Sequence, residues 1–207
     1  WNTDEGIFAA VAQRLIYGDY LYVDAWESKP PLFLYLYAAL FKVLGASVFS
    51  LRLAATASAL ATQLTVYAIA RRYFGPRRAL LSSLVLGVLL GVPFWEGTLA
   101  LTEVFAILPT SLAVLSVLAW DADPRPEARR NGLLLLAGAL FGAAFLLRQT
   151  SAVVAVAVVI WLVVRNQAWV RAGLWMSAGA VLALAPVVLI FVLRGTFQWF
   201  WDANVGF

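Results

Sequence analysis

The side chains that could carry chemistry gather near the start of the chain, ahead of a series of long apolar segments. Asp4 and Glu5 form an adjacent acid pair, and Lys29 stands directly before two prolines. Asp24 and Glu27 add two more acids between them. A membrane protein has few reasons to gather charges in one segment outside the bilayer, and a polar reaction at the membrane surface is the strongest of these reasons.

The composition is that of an integral membrane protein. The 207 residues are 63% hydrophobic and 13% charged, with a mean hydropathy of +0.87, whereas soluble domains are about half apolar and about a quarter charged. Cys and His are both absent, which excludes a disulfide framework, a thiolate nucleophile, a histidine general base and a histidine-ligated zinc within these residues. The net charge of +4 comes mostly from short loops, as in membrane topology and not in nucleic-acid binding.

Six uncharged stretches are long enough, or nearly so, to cross a bilayer, which predicts an all-α, polytopic membrane fold. A seventh apolar run, residues 32–41, has only ten residues before Lys42. That length suits an interfacial or re-entrant helix better than a span. The six predicted spans are residues 53–70, 79–95, 104–120, 131–147, 149–164 and 172–193.

The charges between these stretches predict the orientation. Loops 71–78, 121–130 and 165–171 hold nine basic and three acidic residues, while the rest of the chain holds six basic and eight acidic. The positive-inside rule therefore places these three loops in the cytoplasm. The candidate residues on the extracytoplasmic side are then Asp4, Glu5, Asp24, Glu27, Lys29, Arg52, Glu103 and Arg148.

The chain is predicted to divide into an external segment, residues 1–51, and a transmembrane helical bundle, residues 52–207. Thr3 suits a helix N-cap with acids in the first turn, so Asp4 and Glu5 could serve only to complement the helix dipole. This helix is expected to be amphipathic and to bury its apolar face in the lipid headgroups. The apolar face consists of Ile7, Phe8, Val11 and Leu15.

A set of motifs occurs in a fixed order along the external segments: Asp4-Glu5, Tyr22-x-Asp24, Lys29-Pro30-Pro31-Leu32, Gly45-x-x-x-Phe49-x-x-Arg52-Leu53, Thr102-Glu103 and Arg148-Gln149-Thr150. This set resembles the membrane glycosyltransferases of the protein O-mannosyltransferase and aminoarabinose transferase superfamily. The resemblance implies a GT-C fold and a hexosyl- or pentosyltransferase that uses a polyprenyl-phosphate sugar donor. The chain would be the N-terminal part of such an enzyme.

The resemblance also implies roles for individual residues. Asp4, in its pair with Glu5, would be the catalytic base, and Glu103 would be the acid of the second external loop. The external cations would stabilise the donor phosphate, which gains negative charge as the bond to the sugar breaks. Direct attack by the acceptor would invert the anomeric carbon. The three cations are Lys29, Arg52 and Arg148.

Two departures from the aminoarabinose transferase pattern concern a metal site. That pattern has an acid directly before the lysine, whereas here Ser28 separates Glu27 from Lys29. The pattern also includes a histidine, which this chain lacks. No cofactor is therefore assigned, a divalent metal stays open, and Asp24 and Glu27 remain external acids without a role.

The expected partners are the polyprenyl-phosphate-linked sugar, an acceptor protein, lipid or glycan, and membrane lipids, with no nucleic acid. The expected location is the plasma (inner) membrane, with several passes and an extracytoplasmic active site. The alternatives are a transporter or lipid-carrier flippase, and a non-catalytic subunit of a membrane assembly. Transporters usually place ionisable residues near the midplane, and a subunit would not need Asp4, Lys29 and Arg148.

Overall fold

The computed structural model describes residues 3–92, 99–122, 127–165 and 168–206. These residues form eight α-helices and one turn of 3₁₀ helix, which agrees with the predicted all-α class. The α-helices are α1 (Thr3–Ile16), α2 (Pro31–Leu44), α3 (Val48–Gly91), α4 (Thr102–Asp121), α5 (Glu127–Leu147), α6 (Ala152–Arg165), α7 (Trp169–Leu193) and α8 (Phe197–Asn204), with the 3₁₀ turn at Gln149–Ser151.

Helix α3 is two spans in one continuous run of 44 residues. Gly75 takes a positive φ of 78° that favours glycine, and Pro76 follows it. The two halves fold back on each other, because Ser83 Oγ donates a hydrogen bond to the carbonyl oxygen of Gln63. The predicted loop over 71–78 is therefore a tight corner between helices and not an extended connection.

Within the described part of the chain, four helices, counting α3 once, are long and apolar enough to cross a membrane. The predicted spans correspond to the two halves of α3 and to α4, α5, α6 and α7, so the protein is a multi-pass membrane protein. Helix α6 has 14 residues, about 21 Å of rise, which is shorter than the roughly 30 Å hydrocarbon core. Residues 93–95 of the second predicted span lie outside the described residues.

Helices α1 and α2 pack together near the first residues of α3 and α4. Phe8 meets Phe33 edge-to-face at a centroid distance of 5.0 Å, and both rings are almost fully buried. The apolar face of α1 was expected in the lipid headgroups, and for Phe8 and Val11 this was wrong, because they pack inside the protein core. Ile7, by contrast, is 46% exposed.

Close packing between α5 and α7 organises the bundle of membrane-spanning helices. A side chain at Gly138 of α5 would collide with the carbonyl oxygen of Met176 in α7, and one at Gly179 would collide with that of Leu135. Small residues let two helix backbones approach in this way in membranes, where burial of apolar surface gives no driving force. This contact fixes α5, and with it Arg148 just beyond its last residue, relative to α7.

Candidate active site

Glu5 is a buried carboxylate that joins three parts of the chain. It is 1% exposed, and its Oε2 lies 2.8 Å from Arg52 Nη2 near the start of α3. Its Oε1 accepts a hydrogen bond of 2.7 Å from the backbone N–H of Ala100. A buried charge needs such partners, because moving a charged group out of water without them costs roughly several kcal/mol. Glu5 therefore ties α1 to α3 and to the segment before α4.

Tyr37 holds the other side of the same peptide segment. Its hydroxyl donates a hydrogen bond to the carbonyl oxygen of Ala100. Burial, followed by the nearby charge of Glu5, raises the pKa of the Tyr37 hydroxyl, so the phenol keeps its proton. Both backbone polar groups of Ala100 are thus fixed from α1 and α2, and α4 begins two residues later.

A polar pocket of about 230 Å³ lies next to this segment and contains three of the predicted site residues. Arg148 forms an ion pair with Glu103, and both residues line the pocket. Arg148 Nε also donates to Thr150 Oγ1 at 2.7 Å, and Thr102 Oγ1 donates to Glu103 Oε2 at 2.8 Å. The pocket is lined by Ser28, Lys29, Pro30, Thr102, Glu103, Arg148, Gln149 and Thr150.

Lys29 is held at this pocket through its backbone. The hydroxyl of the buried Tyr22 donates a 2.7 Å hydrogen bond to the Lys29 carbonyl oxygen. Burial raises the pKa of the Tyr22 hydroxyl, which therefore remains a donor. The Lys29 Nζ lies 5.9 Å from the centroid of the Phe8 ring, within range of a cation–π interaction. The Lys29 ammonium group is consequently positioned by both the loop before α2 and helix α1.

An apolar groove of about 370 Å³ adjoins the polar pocket. Pro30 and Gln149 line both spaces, so the groove and the charged pocket lie side by side. Gln149 Nε2 donates to the carbonyl oxygen of Asn204 at 2.8 Å, which connects the shared wall to α8. The remaining lining residues of the groove are Pro31, Phe145, Leu146, Phe200, Asn204 and Val205.

The other candidates are not among the described residues that line the pocket. Asp4 is exposed next to the buried Glu5, and it forms no ion pair with the described residues. Asp24 accepts a 2.8 Å hydrogen bond from the backbone N–H of Tyr20 and closes a turn. Glu27 accepts hydrogen bonds from the backbone and side chain of Ser28.

The structure adds two residues that sequence reasoning did not single out. Tyr37 and Asn204 hold the Ala100 segment and the shared wall of the two cavities, respectively. A hydroxyl in a mostly apolar helix was the available signal for Tyr37, and Tyr35 carries the same signal. No signal in the sequence pointed to Asn204.

The described residues do not form the metal site that the resemblance raised. Within the described part of the chain, no group of three or more acids lies close enough together to hold a metal ion. Glu27 has its Oε1 occupied by the neighbouring Ser28. No step of the chemistry below is therefore assigned to a metal.

The described residues thus form a many-helix membrane protein that carries a charged pocket beside an apolar groove. The sequence profile of the dolichyl-phosphate-mannose-protein mannosyltransferase family matches residues 28–191, and the chain belongs to that family. This result confirms the predicted superfamily. The search of curated proteins gave no significant match.

Two solved structures share the fold, both of ArnT from Cupriavidus metallidurans. The apo structure is 22% identical with a TM-score of 0.74 and covers 93% of this chain. The structure bound to undecaprenyl phosphate is also 22% identical, with a TM-score of 0.75 over 95% of this chain. The chain spans 38% of the length of each of these proteins. The predicted GT-C fold is thereby confirmed.

Proposed function

We propose that the chain belongs to a membrane glycosyltransferase that moves a hexose or pentose from a polyprenyl-phosphate donor to an extracytoplasmic acceptor. The observation that carries this proposal is the polar pocket with two cations, Lys29 and Arg148, opening beside an apolar groove. A prenyl phosphate has the matching shape, with an anionic head and an apolar tail. Family membership and the binding of undecaprenyl phosphate by the similar ArnT support the same conclusion.

The proposed chemistry is a single displacement at the anomeric carbon. The acceptor oxygen or nitrogen forms a bond to C1, and the C1–O bond breaks with its electron pair remaining on the phosphate. Lys29 and Arg148 stabilise that growing charge in place, which is a large contribution in enzymes. Asp4 takes the acceptor proton, and a positioned base of this kind contributes about 10²–10⁴-fold. The anomeric configuration is inverted.

Glu5 and Arg52 receive a positioning role in this proposal. The carboxylate of Glu5 is committed to Arg52 and to the Ala100 N–H, so it is not available to take a proton. The same contacts fix the first turn of α1, which carries the exposed Asp4. Arg52 then acts on the donor through Glu5 and α1.

The proposed location is the plasma (inner) membrane, with the site on the extracytoplasmic face. The basic loops support this orientation through the positive-inside rule. A protein, lipid or glycan is the proposed acceptor.

Sugar transfer by the full-length protein from a panel of radiolabelled polyprenyl-phosphate sugars tests the proposal. We expect the wild type to use at least one donor, and Asp4→Asn to lose about 10²-fold or more. Asp19→Asn is the matched control, because Asp19 is a surface acid of the same segment paired only with Arg14 among its ion-pair contacts. Binding of prenyl phosphate without any transfer would favour a carrier or transport role, and equal transfer by Asp4→Asn would exclude Asp4 as the base.

A further inference from the structure

The polar pocket already contains an anion that competes for Arg148. Glu103 forms an ion pair with the same guanidinium that a donor phosphate would need, and both residues line the pocket. Thr102 Oγ1 donates to the second carboxylate oxygen of Glu103 and also accepts from Arg148 Nη1 at 3.3 Å. A phosphate that enters must therefore share or displace this carboxylate.

The exposure of this pair differs sharply from that of the pair at Glu5. The side chain of Glu103 is 54% exposed and that of Arg148 is 35% exposed, whereas Glu5 is 1% exposed. Exposed ion pairs hold weakly because water competes for both partners. Glu103 can consequently move aside for an anion, yet its charge stays within a few ångströms of the bound phosphate.

The donor and the product differ in charge at this point. The sugar donor is a phosphodiester with one negative charge, and the product left after transfer is a phosphomonoester. A phosphomonoester with a second pKa of about 6 carries roughly −1.5 to −2 at pH 7. Repulsion from a fixed neighbouring charge grows in proportion to the charge of the ligand, so Glu103 repels the product about twice as strongly as the donor.

We propose that Glu103 is a charge-selecting residue that weakens binding of the spent prenyl monophosphate relative to the donor and so speeds its release. This inference rests on the proposed function and assigns a role beyond it. Lys29 and Arg148 supply two positive charges and Glu103 one negative charge among the described lining residues, so the pocket has a net charge of +1. Glu103 thus lowers the pocket charge from +2 to +1, and the resulting loss of attraction is twice as large for a dianion as for a monoanion.

The test compares binding of undecaprenyl phosphate with binding of its methyl ester at pH 8, using full-length protein in detergent. The two probes share the tail and differ by one charge. If Glu103→Gln strengthens methyl-ester binding by roughly 3-fold, it should strengthen monophosphate binding by roughly 10-fold, since doubling the charge squares the ratio. Glu103→Asp keeps the charge and should retain wild-type selectivity between the probes.

Equal changes for both probes in Glu103→Gln, or weaker binding of the monophosphate, would overturn this role, because a merely structural residue does not discriminate by ligand charge. Glu103→Ser gives the same comparison should Glu103→Gln fail to fold. A wild type that binds neither probe and transfers no sugar would instead refute the proposed function. A wild type that transfers sugar while Glu103→Gln leaves the ratio unchanged would refute only the role of Glu103.

Discussion

Glu5 accepts a hydrogen bond from the backbone N–H of Ala100, 95 residues away in the sequence. The same carboxylate forms an ion pair with Arg52. Through these two contacts the first turn of α1 is fixed to the segment that leads into α4 and the polar pocket. The exposed acid beside it, Asp4, is therefore carried on a rigid element, which a catalytic base requires.

Glu5→Gln should destabilise the protein and should do so more than Asp4→Asn. Glutamine can still accept from Ala100, but it loses the ion pair and leaves Arg52, which is 32% exposed, without that partner. We expect a loss of about 1–3 kcal/mol in the free energy of unfolding. Thermal unfolding in detergent measures this, and an unchanged midpoint for Glu5→Gln would contradict the positioning role.

Tyr22 makes the folded protein sensitive to alkaline pH. Burial raises the pKa of its hydroxyl in the folded state, so the contribution to stability is complete below the unfolded value of about 10 and decreases as pH rises above it. At pH 8 we expect Tyr22→Phe to lose about 1 kcal/mol in the free energy of unfolding, because it lacks the hydrogen bond to the Lys29 carbonyl oxygen. The variant should therefore unfold at a lower temperature than the wild type.

Between pH 8 and pH 11, the unfolding midpoint of Tyr22→Phe should fall less than that of the wild type. Parallel decreases in both proteins would indicate that another group is responsible for the alkaline sensitivity.

Gly138→Ala should destabilise the bundle. The added methyl group would collide with the Met176 carbonyl oxygen, which is backbone and cannot rotate away. Overpacking of this kind costs typically about 1–3 kcal/mol. Gly173→Ala is the matched control in α7, because a Cβ there meets no atom within 4 Å. Similar unfolding midpoints for the two variants would show that α5 and α7 are not in close contact.

Much of the fold could be predicted from the sequence, because apolar length and charge placement set the spans and their order. The corner at Gly75 was expected as a loop, since two pairs of arginines flank it, yet a single glycine with positive φ is sufficient to reverse the chain. The environment of Phe8 was predicted wrongly for a different reason. The sequence pattern of an apolar helix face is the same whether lipid or another helix covers that face.

Part of the candidate site could also be predicted from the sequence. Charge placement alone predicts that Lys29, Glu103 and Arg148 lie on one side of the membrane, and the structure brings them into one pocket. The sequence could not distinguish Asp4 from Glu5, since adjacent helical residues point about 100° apart and only packing decides which is buried. The hydrogen bond of Tyr37 spans 63 residues and likewise depends on the tertiary fold.

The most direct test of a prenyl-phosphate site is the affinity of the full-length protein for undecaprenyl phosphate, measured for the wild type and for Arg148→Gln. Arg148→Gln removes one of the two cations from the pocket and breaks the ion pair with Glu103. We expect binding to weaken by roughly 10- to 100-fold, as for loss of a hydrogen bond to a charged group, while Asp19→Asn binds like the wild type. Equal affinity in the wild type and Arg148→Gln would contradict the assignment of this pocket to the donor phosphate.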